Sequence, residues 1–89
     1  MPTVSFTSAL RRFLPAPSAR VEGGTVGAAL MAVFASRPAL RGYVLDDQGA
    51  LRRHVAVYVN GEPVRDRQSL SDPVRPHDEI YVLQALSGG

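Results

Sequence analysis

The stretch Val55-Ala56-Val57-Tyr58-Val59-Asn60-Gly61-Glu62-Pro63-Val64 decides the fold. Its first five residues are β-branched or aromatic but for one alanine, and they alternate as a strand does. Asn60-Gly61 follows directly, and both residue types accept positive φ, so the pair predicts a tight hairpin. The return begins at Pro63-Val64. Proline cannot donate to a ladder, which predicts a sheet edge there.

Downstream, Ser69 to His77 contains Pro73 and Pro76 and reads as a loop with at most a helical turn, after which Asp78-Glu79 leads into a last strand, Ile80 to Ala85. Upstream, Pro38 to Arg53 reads as a connection with a turn signal at Asp46-Asp47-Gln48-Gly49 and a short apolar patch at Tyr43-Val44-Leu45. Before it, Val26, Leu30, Val33 and Phe34 recur at helical spacing behind a capping Thr25, and Pro38 disfavours helix for the residue before it. A helix over Thr25 to Ser36 is expected. Gly23-Gly24 separates it from a short strand around Val21. That strand pairs as a hairpin with Thr3 to Ser8, across a connection made irregular by Pro15 and Pro17. The resulting order is strand, strand, helix, strand, short strand, strand and tail. One main helix packed on a mixed four- to five-stranded sheet satisfies it, with the two strongest strands inside. This is the α+β, β-grasp or ubiquitin-like arrangement.

At 89 residues and 9.6 kDa the chain is long enough for one core, read as a domain over 1–85 and a flexible tail over 86–89. There is no cysteine, hence no thiol nucleophile, disulfide or thiolate metal site, and the two histidines are too few for a conventional zinc cluster. No bound cofactor or metal is expected. The start carries no basic region followed by an apolar stretch, and no apolar run approaches the roughly 20 residues of a bilayer span. A cytoplasmic protein without membrane association is the expectation. Dispersed bases, a net charge of +2 and few aromatics argue against nucleic acid. All ten basic residues are arginine, so an activated C-terminus meets no ε-amine on its own body. His77-Asp78 reads as a solvated turn rather than an acid/base pair. Arg52-Arg53-His54 reads as a hydrated strand start, and Gly23-Gly24 lacks the lysine and spacing of a phosphate loop.

Two features point toward function. Strand parity sends Val55, Val57, Val59, Ile80 and Val82 toward the helix and leaves Ala56, Tyr58, Tyr81 and Leu83 on the opposite face, an apolar, tyrosine-bearing surface suited to docking a partner unless the segment from Pro38 to Arg53 folds back over it. The other feature is Gly88-Gly89. Two glycines leave a terminal carboxylate on a stem thin enough for a narrow channel.

With that ending, the element order and His54 to Arg65, the chain resembles the MoaD/ThiS family of sulfur carriers. Thr25-Val26-Gly27, Leu51 to His54 and Asp78-Glu79 agree as well, and the long insert from Pro38 to Arg53 looks most like carriers of the CysO type, which serve cysteine biosynthesis. Two departures from many relatives are Gln84 in place of proline and Ser87 in place of alanine. The resemblance implies that the chain is no enzyme but the substrate of a ubiquitin-activating-type adenylating enzyme. That partner uses ATP to convert the Gly89 carboxylate to an acyl adenylate, and a sulfur donor then turns it into a thiocarboxylate. Leu86, Ser87 and Gly88 form the stem, and a cysteine synthase homologue and a JAMM-type metalloprotease are further implied partners. Alternatives are a ubiquitin-like protein modifier or the small MoaD-type subunit of molybdopterin synthase.

Overall fold

The computed structural model describes residues 1–6 and 18–84. Strands β1 (Thr3–Phe6) and β2 (Ser18–Arg20) precede helix α1 (Val26–Ser36) and helix α2 (Pro38–Val44); β3 (Val55–Val59), β4 (Glu62–Pro63) and β5 (Glu79–Gln84) follow. They form one five-stranded sheet in the order β2-β1-β5-β3-β4. Only the β1–β5 pair is parallel, with Thr3 opposite Glu79 and Phe6 opposite Val82, so the sheet is mixed as expected. The longest strand, β5, is central, and Pro63 lies in the edge strand β4.

Local chemistry explains the elements. Thr25 Oγ1 accepts the Ala28 N–H at 3.1 Å, capping α1 as its sequence predicts. Asn60 and Gly61 take φ values of 52° and 86°, the left-handed pair that a two-residue hairpin between right-twisted strands requires. Gly23 answers a steric need instead: a Cβ there would stand 2.6 Å from the Ala29 nitrogen, so glycine lets the chain cross tightly against α1.

The segment from Pro38 to Arg53 is more than the connection its sequence suggests. Pro38 stops α1 and opens α2, since the first helical position needs no N–H and proline's φ is already helical. Leu40 and Val44, four residues apart, both bury their side chains. The chain then makes a small hairpin, Leu45 opposite Leu51, in which Asp46 accepts the N–H groups of Gln48 and Ala50 at 2.8 and 3.0 Å. Leu40, Val44, Leu45 and Leu51 join the same core cluster as Phe6, Leu30 and Ile80. Their packing is with the helical layer's core rather than across the opposite sheet face.

Candidate functional site

Register places the candidate partner residues together. In the β3–β5 pair Ala56 is opposite Leu83 and Tyr58 opposite Tyr81, while Val57 faces Val82 and Val59 faces Ile80. Alternate residues point to opposite faces, so Ala56, Tyr58, Tyr81 and Leu83 share one. One row crosses all five strands: Ser18, Ser5, Tyr81, Tyr58 and Pro63. On the covered face Val57 and Val82 retain 1% and 0% of their accessible surface; on the open face Tyr81 retains 42%, and Ala56, Tyr58 and Leu83 are half-buried.

The tail candidates Leu86, Ser87, Gly88 and Gly89 lie outside the described residues. What leads to them is described: β5 runs to Gln84, which pairs with Val55 at the start of β3. That start is fastened from a distance. The Arg67 guanidinium donates from Nη2 to the carbonyls of Arg52 and Val55 at 2.9 and 2.7 Å, and Arg52 Nε donates to the Gly42 carbonyl at 2.7 Å. Charge-assisted bonds of this kind are stronger than neutral ones; those of Arg67 tie the start of β3 to the segment after β4, and that of Arg52 ties it to α2. Sequence reasoning gave Arg67 no role, because its acceptors lie 12 and 15 residues away.

The start of β5 and the segment from Arg65 to Asp78 hold most of the described carboxylate contacts. Asn60 Oδ1 accepts the Glu79 N–H at 2.9 Å, and Asn60 Nδ2 donates to Asp78 at 2.9 Å. Asp78 also accepts the Arg75 N–H at 2.8 Å, and chiefly that bond, then the one from Asn60, lowers its pKa. Asp78 therefore belongs to the loop's scaffold and forms no acid/base pair with the exposed His77. Asp66 is bound most densely. It accepts the N–H groups of Ser69 and Gln68 at 2.8 and 3.1 Å and the Ser71 hydroxyl at 2.6 Å, and the Ser69 bond leads in lowering its pKa to about 2. Asp72 accepts the Arg65 and Asp66 N–H groups, and its pKa is also lowered, principally by the Arg65 bond.

An open groove of about 830 Å³ lies among Asn60, Glu62, Arg65, Asp72 and Arg75. It sits at the start of β5, and five residues of strand, about 17 Å, separate that level from Gln84. Its aspartates accept backbone N–H groups, so their carboxylates serve the structure of the surrounding loop. Among the described residues no cluster of three histidine, cysteine, aspartate or glutamate side chains could hold a metal, and no helix is long and apolar enough to cross a membrane. The arrangement offers an open sheet face and, at one end of it, the end of β5 from which the sequence continues to Gly89.

Comparison with known proteins adds the family. The ThiS family profile matches residues 6–89. Small archaeal modifier protein 1 of Haloferax volcanii is 37% identical over 70 residues, 78% of this chain and 76% of the relative. The sulfur carrier protein CysO of Mycobacterium tuberculosis is 31% identical over 74 residues, 81% of this chain and 80% of the relative. In the crystal structure of the Amycolatopsis orientalis BexX/CysO complex, a chain 29% identical superposes with a TM-score of 0.88, covering 100% of both chains.

Proposed function

This chain belongs to the ThiS family, and on that footing we propose that it is a sulfur carrier whose C-terminal glycine is adenylated and converted to a thiocarboxylate. The observation that carries the reading is its end-to-end likeness to CysO, a sulfur carrier also seen in complex with a second protein. A carboxylate is a poor electrophile. In a cytoplasmic partner that binds ATP, the Gly89 carboxylate attacks the α-phosphorus, pyrophosphate leaves, and the acyl adenylate forms. Sulfide or a persulfide sulfur then attacks the carbonyl and AMP departs. This chain supplies no acid, base or metal ligand to that sequence. Its part is to bind and position the reacting carbon, with Ala56, Tyr58, Tyr81 and Leu83 docking on the partner and Leu86 to Gly89 threading its channel. The CysO likeness supports a cysteine synthase homologue as the sulfur acceptor, and with it a place in cysteine biosynthesis.

Incubation with ATP, sulfide and its cognate adenylating enzyme should replace one oxygen of the protein by sulfur, read by intact mass. Deleting Gly89 should abolish the change without altering the denaturant midpoint. Sulfur uptake by the deletion variant would overturn the reading. A second reading has its own support: the 37% identity to a small archaeal modifier protein favours transfer of the same acyl group to a lysine of another protein. Gly89-linked isopeptides on cellular proteins would select it.

A further inference from the structure

We propose that the body of this carrier presents no amine to its activated terminus in cis, so that the acyl group is not lost to intramolecular amide formation before a sulfur donor or another molecule's amine takes it. The inference rests on the reading that Gly89 is activated. Aminolysis is the competing reaction: an amine nitrogen attacks the acyl carbonyl, a C–N bond forms, the bond to AMP breaks, and the amine proton goes to solvent. A lysine near the tail would do this at high effective concentration. The ten basic side chains are all arginine, whose guanidinium stays protonated and is not a nucleophile.

The fold deals with the amine that remains, that of Met1 in the 89-residue chain. β1 runs parallel to β5, with Thr3 level with Glu79, so Met1 lies two residues before the start of β5 while the tail leaves from its far end. Seven residues of strand separate the levels of Met1 and Gln84, about 23 Å. The five residues from Ala85 to Gly89 span at most about 18 Å. Pro2, which would have to move to shorten the gap, is buried, and its carbonyl accepts the Val21 N–H at 3.0 Å. Parallel pairing thus removes the amine from reach. The same topology shows where an amine would be fatal: Arg53 is exposed and stands two residues before Val55, the partner of Gln84. Arg75, also exposed, stands at the opposite end, three residues before Asp78.

The test makes the acyl group reactive without any partner enzyme. The 89-residue chain is prepared as a Gly89 thioester by intein thiolysis, alongside Arg53→Lys and Arg75→Lys, and each is held at mildly alkaline pH and followed by intact mass. Wild type should only hydrolyse, returning the carboxylate, while free lysine added to it should be acylated. Arg53→Lys should instead close on itself, giving a product one water lighter than the carboxylate form, at a rate about tenfold or more above Arg75→Lys. Closure of the wild-type chain would overturn the proposal, as would equal closure by the two variants or none by Arg53→Lys. Because the thioester is made chemically, any of these results stands apart from failure of the enzymatic adenylation described above, which would remove the carrier reading itself.

Discussion

The two faces of the β3–β5 pair are made from the same ten backbone positions and have little else in common. One face holds Val55, Val57, Ile80 and Val82, with no more than 1% of their surface accessible, and the half-buried Val59; the other holds Ala56, Tyr58, Tyr81 and Leu83, half-buried or exposed. Both are apolar, so hydrophobicity does not distinguish them. The difference lies in what covers them. The helices and the Leu45–Leu51 hairpin bury their apolar residues in the core with the first set, leaving the second to be satisfied by something else. An apolar face left open on a sheet is the feature on which the docking proposal rests.

The largest effect should come from the covered face. Ile80 is fully buried in the central strand, and Ile80→Ala should destabilise by about 2 to 5 kcal/mol through lost burial and the cavity left behind. Val57→Ala should cost about 1 to 3 kcal/mol. Denaturant midpoints measure both, and a negligible shift would show that the faces are energetically alike.

Next in size is the element that decides which residue faces which way. A one-residue slip between β3 and its neighbours would exchange the two faces completely. Asn60 opposes it twice, by adopting φ of 52° at the hairpin and by bonding through its side chain to Asp78 and Glu79 at the start of β5. Asn60→Ala loses both and should cost about 1 to 2 kcal/mol. Asn60→Gly should recover part of that loss, since glycine keeps the turn but not the bonds. Equal costs would assign Asn60's role wholly to its side chain.

The hairpin was legible because Asn-Gly acts locally, and so was α1, whose capping threonine and apolar spacing lie within one segment. Helix α2 was not. Pro38 reads equally as a stop and as a first helical residue, and seven residues with Gly42 among them have too little intrinsic helicity to announce themselves; Leu40 and Val44 gain their helix from burial. Arg67 and the Asp66 loop escaped for another reason. A single arginine says nothing about carbonyls 12 and 15 residues away, and Leu70, buried at φ of 55°, is held in that conformation by a loop closed around Asp66. The open face was readable from strand parity alone, as alternation assigns both faces at once.

That loop supports a smaller, pH-dependent prediction. Asp66 has its folded-state pKa lowered from 3.8 to about 2, chiefly by the Ser69 N–H. A depressed carboxylate pKa adds stability that is fully present above the unfolded value and is lost as pH falls through the folded one. Wild type and Asp66→Asn should therefore differ most above pH 4 and converge toward pH 2, when denaturant midpoints are followed across that range. A constant gap would mean that the loop closes around Leu70 without the charge.

The smallest change in stability should come from the open face, and there the contrast is sharpest. Leu83 is half-buried beside Ala56 on the face opposite Val82. Leu83→Asp places a carboxylate where water can reach it, so the folded protein loses only part of one apolar contact and some strand propensity, about 1 kcal/mol or less. Docking is another matter. Against a partner that covers this face, the same carboxylate must be stripped of water without a counter-charge, and affinity for the adenylating enzyme should fall at least about tenfold. Thermal unfolding of the isolated variant and its binding, measured by calorimetry on the same preparation, separate the two effects. If Leu83→Asp unfolds the protein, Leu83 belongs to the core and the division between faces is wrong. If it folds and binds as wild type does, the open face is not where the partner sits.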